Sequence, residues 1–337
     1  MAKMGKNGPR KTSGHKPVKK HQQKAKAQNK RDQKSLQGIK NAVGAFTKKP
    51  FGTAKKGRTR VHNIKVFDAF HPAHIALPRP VGPYIVMRTT QQVLFNKAFG
   101  IFGPMRYGGT VSGESFWSNA IGLAVNDLSD AITATNNVYR YVMDPLVDPA
   151  YNRASLVPAA FSIQMLSPGV PLNGQGILAV GRYRTMPYLD PAGGESAYTG
   201  STLSNQFVSN NFPRQLGAPK LAFRGVQVDC VPFDMADLAN FSERATTTTG
   251  DITLGTFSEY FAGFAPIGIV NPSLATIHLN VSIEWRFRFS ATNPAQATHR
   301  RYPTSSDAVW ESLQRRMENM GSGVREIAEV VSNRGSF

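Results

Sequence analysis

The sequence predicts an all-β domain of the sandwich or barrel class, preceded by a basic arm and followed by an amphipathic helix. Three observations predict it. From Ile277 the odd positions read Ile277, Leu279, Val281, Ile283, Trp285, Phe287 and Phe289, while the even ones read His278, Asn280, Ser282, Glu284, Arg286 and Arg288. A period of two held this long sets one face in a core and the other in a polar environment, whereas a helix would smear these residues around its axis. Hydrophobic runs from Val61 onward are broken about every 8–15 residues by Pro, Gly, Asn or Asp, the spacing of short strands joined by turns. Strands do not alternate with amphipathic helices, which argues against a doubly wound α/β fold.

The arm comes first. Residues 1–60 hold 19 Lys plus Arg against one acidic residue, Asp32, a net +18 of the chain's +19. Residues 61–337 hold 21 basic and 20 acidic residues, a net +1. The cations are Lys3, Lys6, Arg10, Lys11, Lys16, Lys19, Lys20, Lys24, Lys26, Lys30, Arg31, Lys34, Lys40, Lys48, Lys49, Lys55, Lys56, Arg58 and Arg60. Large apolar side chains are few before Ala42, so the segment cannot offset its chain entropy by burial and is expected to be disordered in isolation. Leu36, Ile39, Val43 and Phe46 would share one face of a helix, but Gly38 and Gly44 weaken it, so it is expected to form only on binding, if at all. Three readings stand: a solvated tail, a membrane-surface or nuclear-import segment, and a nucleic-acid-binding arm. The third is favoured, because cations at no fixed period suit phosphate neutralisation, which needs charge density rather than geometry.

The domain expected over residues 61–300 has further strands at Tyr84–Thr89, Ala160–Leu166, Gly176–Arg184, Leu221–Val231 and Phe261–Val270. Residues 118–134 carry Ile121, Val125, Leu128 and Ile132, which suit helix or strand. Pro187–Pro219 is rich in Gly, Ser, Asn and Pro and reads as an external loop. Over residues 301–337, Thr304 offers an N-cap. Trp310, Leu313, Met317, Met320, Val324, Ile327 and Val331 then form a heptad seam that Gly321 and Gly323 interrupt. Such a helix packs on the domain or on a neighbouring copy, acts on a membrane, or pairs across subunits as a coiled coil.

Chemistry-bearing motifs are sparse. No phosphate-cradling glycine loop, dinucleotide fingerprint or His-Glu-x-x-His occurs. His71 and His74 sit in a Pro-rich loop and read as loop chemistry rather than a metal site. Asp127 with Asp130, Asp144 with Asp148, and Asp234 with Asp237 read as caps and turns. The metal they would otherwise take is calcium, with ligands pooled between subunits; no other cofactor is expected. The one cysteine, Cys230, forms no intramolecular disulfide or Cys-based zinc site and reads as a small buried hydrophobe rather than a reactive thiol. No run of 18 apolar residues and no N-terminal apolar leader occurs, so neither membrane insertion nor secretion is expected.

The run Phe223, Arg224, Gly225, Val226, Gln227, Val228 is similar to coat proteins of small icosahedral viruses. So are the stretch Asp234, Met235, Ala236, Asp237, Leu238, and the strand Ile277–Phe289 with the loop and helix that follow it. With the basic arm ahead of them, these resemble single jelly-roll capsids of the noda- and tombus-like lineage, including the nodavirus-like capsids of bacilladnaviruses. The resemblance implies an eight-stranded jelly roll of two four-stranded sheets, self-assembly into an icosahedral virion, an arm on the genome (ssRNA or ssDNA), and residence in host cytoplasm or nucleus before assembly. A T=3 shell of about 180 subunits would carry roughly 3,200 arm charges, which suits a genome of a few kilobases at about one charge per nucleotide. The host receptor is not indicated, though Tyr188–Pro213 is a candidate exterior segment. Capsids of this kind often cleave themselves at a late Asn–Ala or Asn–Ser bond. Here the late Asn bonds are Asn293–Pro294, Asn319–Met320 and Asn333–Arg334, so no cleavage is expected. Two other classes remain: a cellular nucleic-acid-binding protein with a basic tail, which does not explain a near-neutral domain, and a sandwich enzyme, for which no paired-carboxylate site is visible.

Overall fold

Among the residues described, twelve strands build two antiparallel sheets. The computed structural model describes residues 67–72, 76–77, 82–108, 115–132, 138–143, 154–168, 176–185, 187, 198–233, 236–245, 250–251, 259–261, 263–319 and 321–327, all within one unit, Arg58–Arg334. In chain order the strands are β1 (Ile85–Phe95), β2 (Phe99–Phe102), β3 (Ala120–Val125), β4 (Val138–Val142), β5 (Ala154–Leu166) and β6 (Ile177–Arg182). They continue as β7 (Arg214–Gly217), β8 (Val226–Asp229), β9 (Gly250–Asp251), β10 (Ile267–Val270), β11 (Ile277–Phe289) and β12 (Arg325–Glu326). One sheet runs β1-β11-β5-β8-β12, the other β7-β6-β10-β2-β3-β4-β9.

The pairing shows a single jelly roll. Setting aside β3, β4, β9 and β12, the first strand pairs with the last (β1 with β11), the second with the second-last (β2 with β10), and so inward through β5 with β8 and β6 with β7. A long hairpin rolled on itself gives this order and leaves two four-stranded sheets face to face. The strand expected at Ile277–Phe289 is β11, and all seven of its odd-numbered side chains are buried in the core between the sheets. In β5 the register slips at Ala159, so that Trp285 faces Pro158. Proline has no N–H for a ladder, and a bulge is where a sheet admits it.

Where the sequence left helix or strand open over residues 118–134, residues 120–125 form a strand. All six residues are buried, with Ile121 and Ala124 in the main core and Ala120 and Leu123 on the opposite side. A strand covered on both faces loses its alternation, which is why its pattern was ambiguous. Leu221–Phe223 is the end of a helix rather than the start of a strand; Gly225, at φ +59°, breaks the chain before β8. Phe261–Val270 divides into the short strand Phe264–Ala265 and β10.

The predicted external loop contains helix α1 (Gly200–Asn211). Thr199 caps it, its Oγ1 accepting from the Thr202 N–H at 3.1 Å. Leu203 and Phe207, one turn apart, bury a small second core with Phe99, Ile101 and Tyr183 on the outer face of the seven-stranded sheet. Packing therefore overrides a Ser/Asn-rich composition. Two further α-helices among the described residues are α2 (Ala218–Phe223), with Pro219 in its first turn, and α3 (Asp307–Glu318). The heptad seam does not continue as one helix. Gly321 (φ +59°) and Gly323 (φ +70°) turn the chain out of helical geometry, and residues 325–326 become β12. Trp310, Leu313 and Val324 still join the main core; Met320 and Val331 lie outside the described residues.

Candidate functional site

The 19 arm cations lie outside the described residues. What the structure shows is where the chain comes onto the domain. Residues 67–71 cross the outer, polar face of the five-stranded sheet. The Ala69 N–H donates to Ser162 Oγ at 2.9 Å, and Ser282 Oγ donates to the Ala69 carbonyl at 3.3 Å. Farther along the same face Arg286 donates to the Leu238 carbonyl at 3.2 Å, and Glu284 accepts from Arg88 at 2.5 and 2.8 Å. Ser282, Glu284 and Arg286 are at most 1% exposed, so the middle of the strand's polar face is covered, while His278 at one end is exposed. Helix α3 holds the junction from the other side. Trp310 Nε1 donates to the Ala76 carbonyl at 3.0 Å and its ring meets Phe67 edge-on at 6.3 Å.

Under this junction lies a buried polar hub. Asp229 accepts from Ser162 Oγ at 2.7 Å and Gln227 Nε2 at 2.9 Å, and it is ion-paired with Arg325. Burial pushes its carboxyl pKa up; the Arg325 cation opposes this and the nearby charge of Asp68 adds to it. The hub ties three distant parts of the chain together: the segment after the arm (the Phe67 carbonyl and Ala69 N–H on Ser162), the sheet (Ser162, Gln227, Asp229) and the C-terminal strand (Arg325). Nothing in their spacing could have announced it, because they meet only through the fold.

Strand β12 closes the open edge of β8, Glu326 opposite Val226 and Arg325 opposite Gln227. Glu326 is held by Lys220 at 2.7 Å, Arg224 at 2.9 Å and Arg214 at 3.9 Å. Hydrogen bonds from Lys220 and Arg224 hold its carboxyl down at about 2.

One end of the sandwich is apolar. Leu94, Leu166, Ile177, Phe223 and Leu274 are five of the seven exposed large apolar side chains among the described residues. The register puts Leu94, His278 and Leu166 in one cross-strand row. The end of α2, which carries Phe223, meets the chain just past Leu166, where the Ser167 N–H donates to the Leu221 carbonyl at 3.4 Å. Ile177 opens β6 at the same end, and Leu274 lies in the β10–β11 turn.

The other residues singled out from sequence fall as follows. Asp127 and Asp130 form an exposed turn, Asp127 accepting from the Ser129 N–H at 2.9 Å and Asp130 from the Asp127 N–H at 3.2 Å. Asp237 pairs with Arg106 at 3.4 Å. His74, Asp144, Asp148 and Asp234 lie outside the described residues. Among the described residues no group of three or more His, Cys, Asp or Glu could hold a metal ion. Cys230 is fully buried and its thiol is pushed well up by burial, so it packs as a small hydrophobe. No described helix is long and apolar enough to cross a membrane.

No protein-family model and no curated protein matches the chain. Three solved structures are similar to it at low identity. A decameric BFDV capsid protein is 14% identical, covering 61% of this chain and 99% of its own, with TM-score 0.28. The infectious bursal disease virus Gx strain structure is 8% identical, covering 81% and 98%, with TM-score 0.41. T=1 particles derived from infectious bursal virus are 9% identical, covering 81% and 95%, with TM-score 0.38. Superpositions at this level decide nothing about function, which has to be read from this chain's own residues.

Proposed function

We propose that this chain is the coat protein of a small icosahedral virus, a jelly-roll subunit that assembles with copies of itself and packages the genome through residues 1–60. The observation that carries the reading is the division of charge: +18 on a segment poor in core residues, +1 on the jelly roll behind it. A near-neutral domain can pack against its own copies without self-repulsion, while the arm neutralises phosphate. The apolar end around Leu94, Leu166 and Phe223 supplies area that such contacts would bury. The absence of a catalytic constellation in the sequence agrees with a structural role. A T=3 shell and a noda- or tombus-like ancestry belong to this proposal, as do a single-stranded genome and a location in the virion.

Electron microscopy of the purified full-length chain tests it. Closed shells of uniform diameter, with nucleic acid inside, are expected. A monomer at every concentration and at low salt, with or without nucleic acid, overturns it.

A further inference from the structure

We infer that the jelly-roll domain carries a contact of its own for single-stranded nucleic acid, separate from the arm, at the corner where β11 ends and the chain returns through His299–Tyr302. The inference rests on the packaging reading and extends it to residues far from the arm. A shallow depression of about 540 Å³ opens there, lined among others by Pro83, Thr292, Asn293, Pro294, Gln296 and His299.

Three cations stand around it. Arg300 and Arg301 are exposed and have no carboxylate partner among the described residues. Arg300 is placed by its backbone, which exchanges hydrogen bonds of 2.9 and 3.1 Å with Tyr84, the neighbour of Pro83 in the wall. Arg288 is half-buried and lies 3.9 Å from the Phe241 ring centroid; its Nη2 is buried without a hydrogen-bond partner among the described residues, which leaves the rest of its guanidinium to face outward charge. Several other domain cations are already neutralised: Arg88, Arg106, Lys220, Arg224 and Arg325 each meet a carboxylate.

Flat and amide groups line the depression between these charges. The His299 imidazole stacks on Phe289 at 5.7 Å and 13°, and its Nε2 accepts from the Phe289 N–H at 3.0 Å. That bond requires a neutral ring with its proton on Nδ1. Burial and the Arg288 charge push the His299 pKa down, in agreement. A neutral flat ring, proline faces and the Gln296 amide suit an unstacked base, and the arginines suit its flanking phosphates. A duplex, whose bases are stacked inside, has no free face to offer such a depression.

The test is photo-crosslinking of the full-length protein to oligonucleotides of deoxythymidine or uridine carrying photoreactive bases, with the adducts mapped by mass spectrometry. Adducts on residues 83–84 and 291–302, in addition to those in residues 1–60, are expected. In full-length R300Q/R301Q the corner adducts should fall roughly ten-fold near 0.15 M salt, the effect of losing two phosphate contacts, while the arm adducts persist. The inference is overturned by adducts confined to residues 1–60, or by corner adducts unchanged in the variant. Equal competition at the corner by a duplex or by polyglutamate of matched charge overturns it too. Those results leave the packaging reading standing; no adduct anywhere removes both.

Discussion

At the scale of single residues, two phenylalanines separate folding from assembly. Phe207 is fully buried, and its ring fills the space over Gly268, where an added Cβ would come within 2.6 Å of it. Phe207→Ala should therefore cost about 3–5 kcal/mol of stability, read as a lowered denaturation midpoint. Phe223 is 73% exposed. Phe223→Glu should leave the thermal midpoint almost unchanged yet abolish shells in the microscope, by setting a charge in the apolar end. Shells that persist would remove that end from the assembly contacts. Neither role was legible in the sequence, since both residues sit in stretches where helix, strand and loop patterns overlap.

At the scale of elements, β12 is held by charge more than by burial. Glu326 titrates at about 2 in the folded chain against an ordinary 4.5, so its folded pKa is depressed. A depressed carboxyl stabilises fully above its unfolded pKa and loses that contribution as pH falls through the folded value. The attachment of β12 should weaken from about pH 4.5 down to about 2. Asp229 works the other way: with its pKa raised, its ionisation weakens the fold as pH rises, and its protonation on acidification relieves that. Hydrogen exchange at residues 325–326 should therefore speed up across the window set by Glu326, and Glu326→Gln should show fast exchange at every pH. Exchange that is pH-independent in the wild-type chain, after correction for intrinsic rates, would contradict the charge clasp. The sequence showed β11 because one of its faces meets the core. It left β3 open and misread α1 because their partners, not their own periodicity, decide their form. The left-handed glycines after α3 were visible as interruptions, but the strand that follows needed the free edge of β8, which no local pattern contains.

At the scale of the whole molecule, the division of charge makes a quantitative demand. Binding by phosphate neutralisation releases counterions, and for single strands log K falls with log salt at a slope of about −0.7 per contact. If most of the arm's charge engages, the slope for the full-length chain should approach about −12, whatever the base sequence. Contacts at the His299–Tyr302 corner would add only about −2 to it. Fluorescence anisotropy of labelled oligonucleotides between 0.1 and 0.5 M salt reads this directly, with subunits kept dilute enough to stay unassembled. Removing residues 1–60 should collapse the slope to the corner's small value and leave the jelly roll folded, because that segment is poor in core-forming side chains. A slope near zero in the full-length chain would mean that +18 charges are not spent on phosphate, and the genome-packaging role would then have no physical carrier.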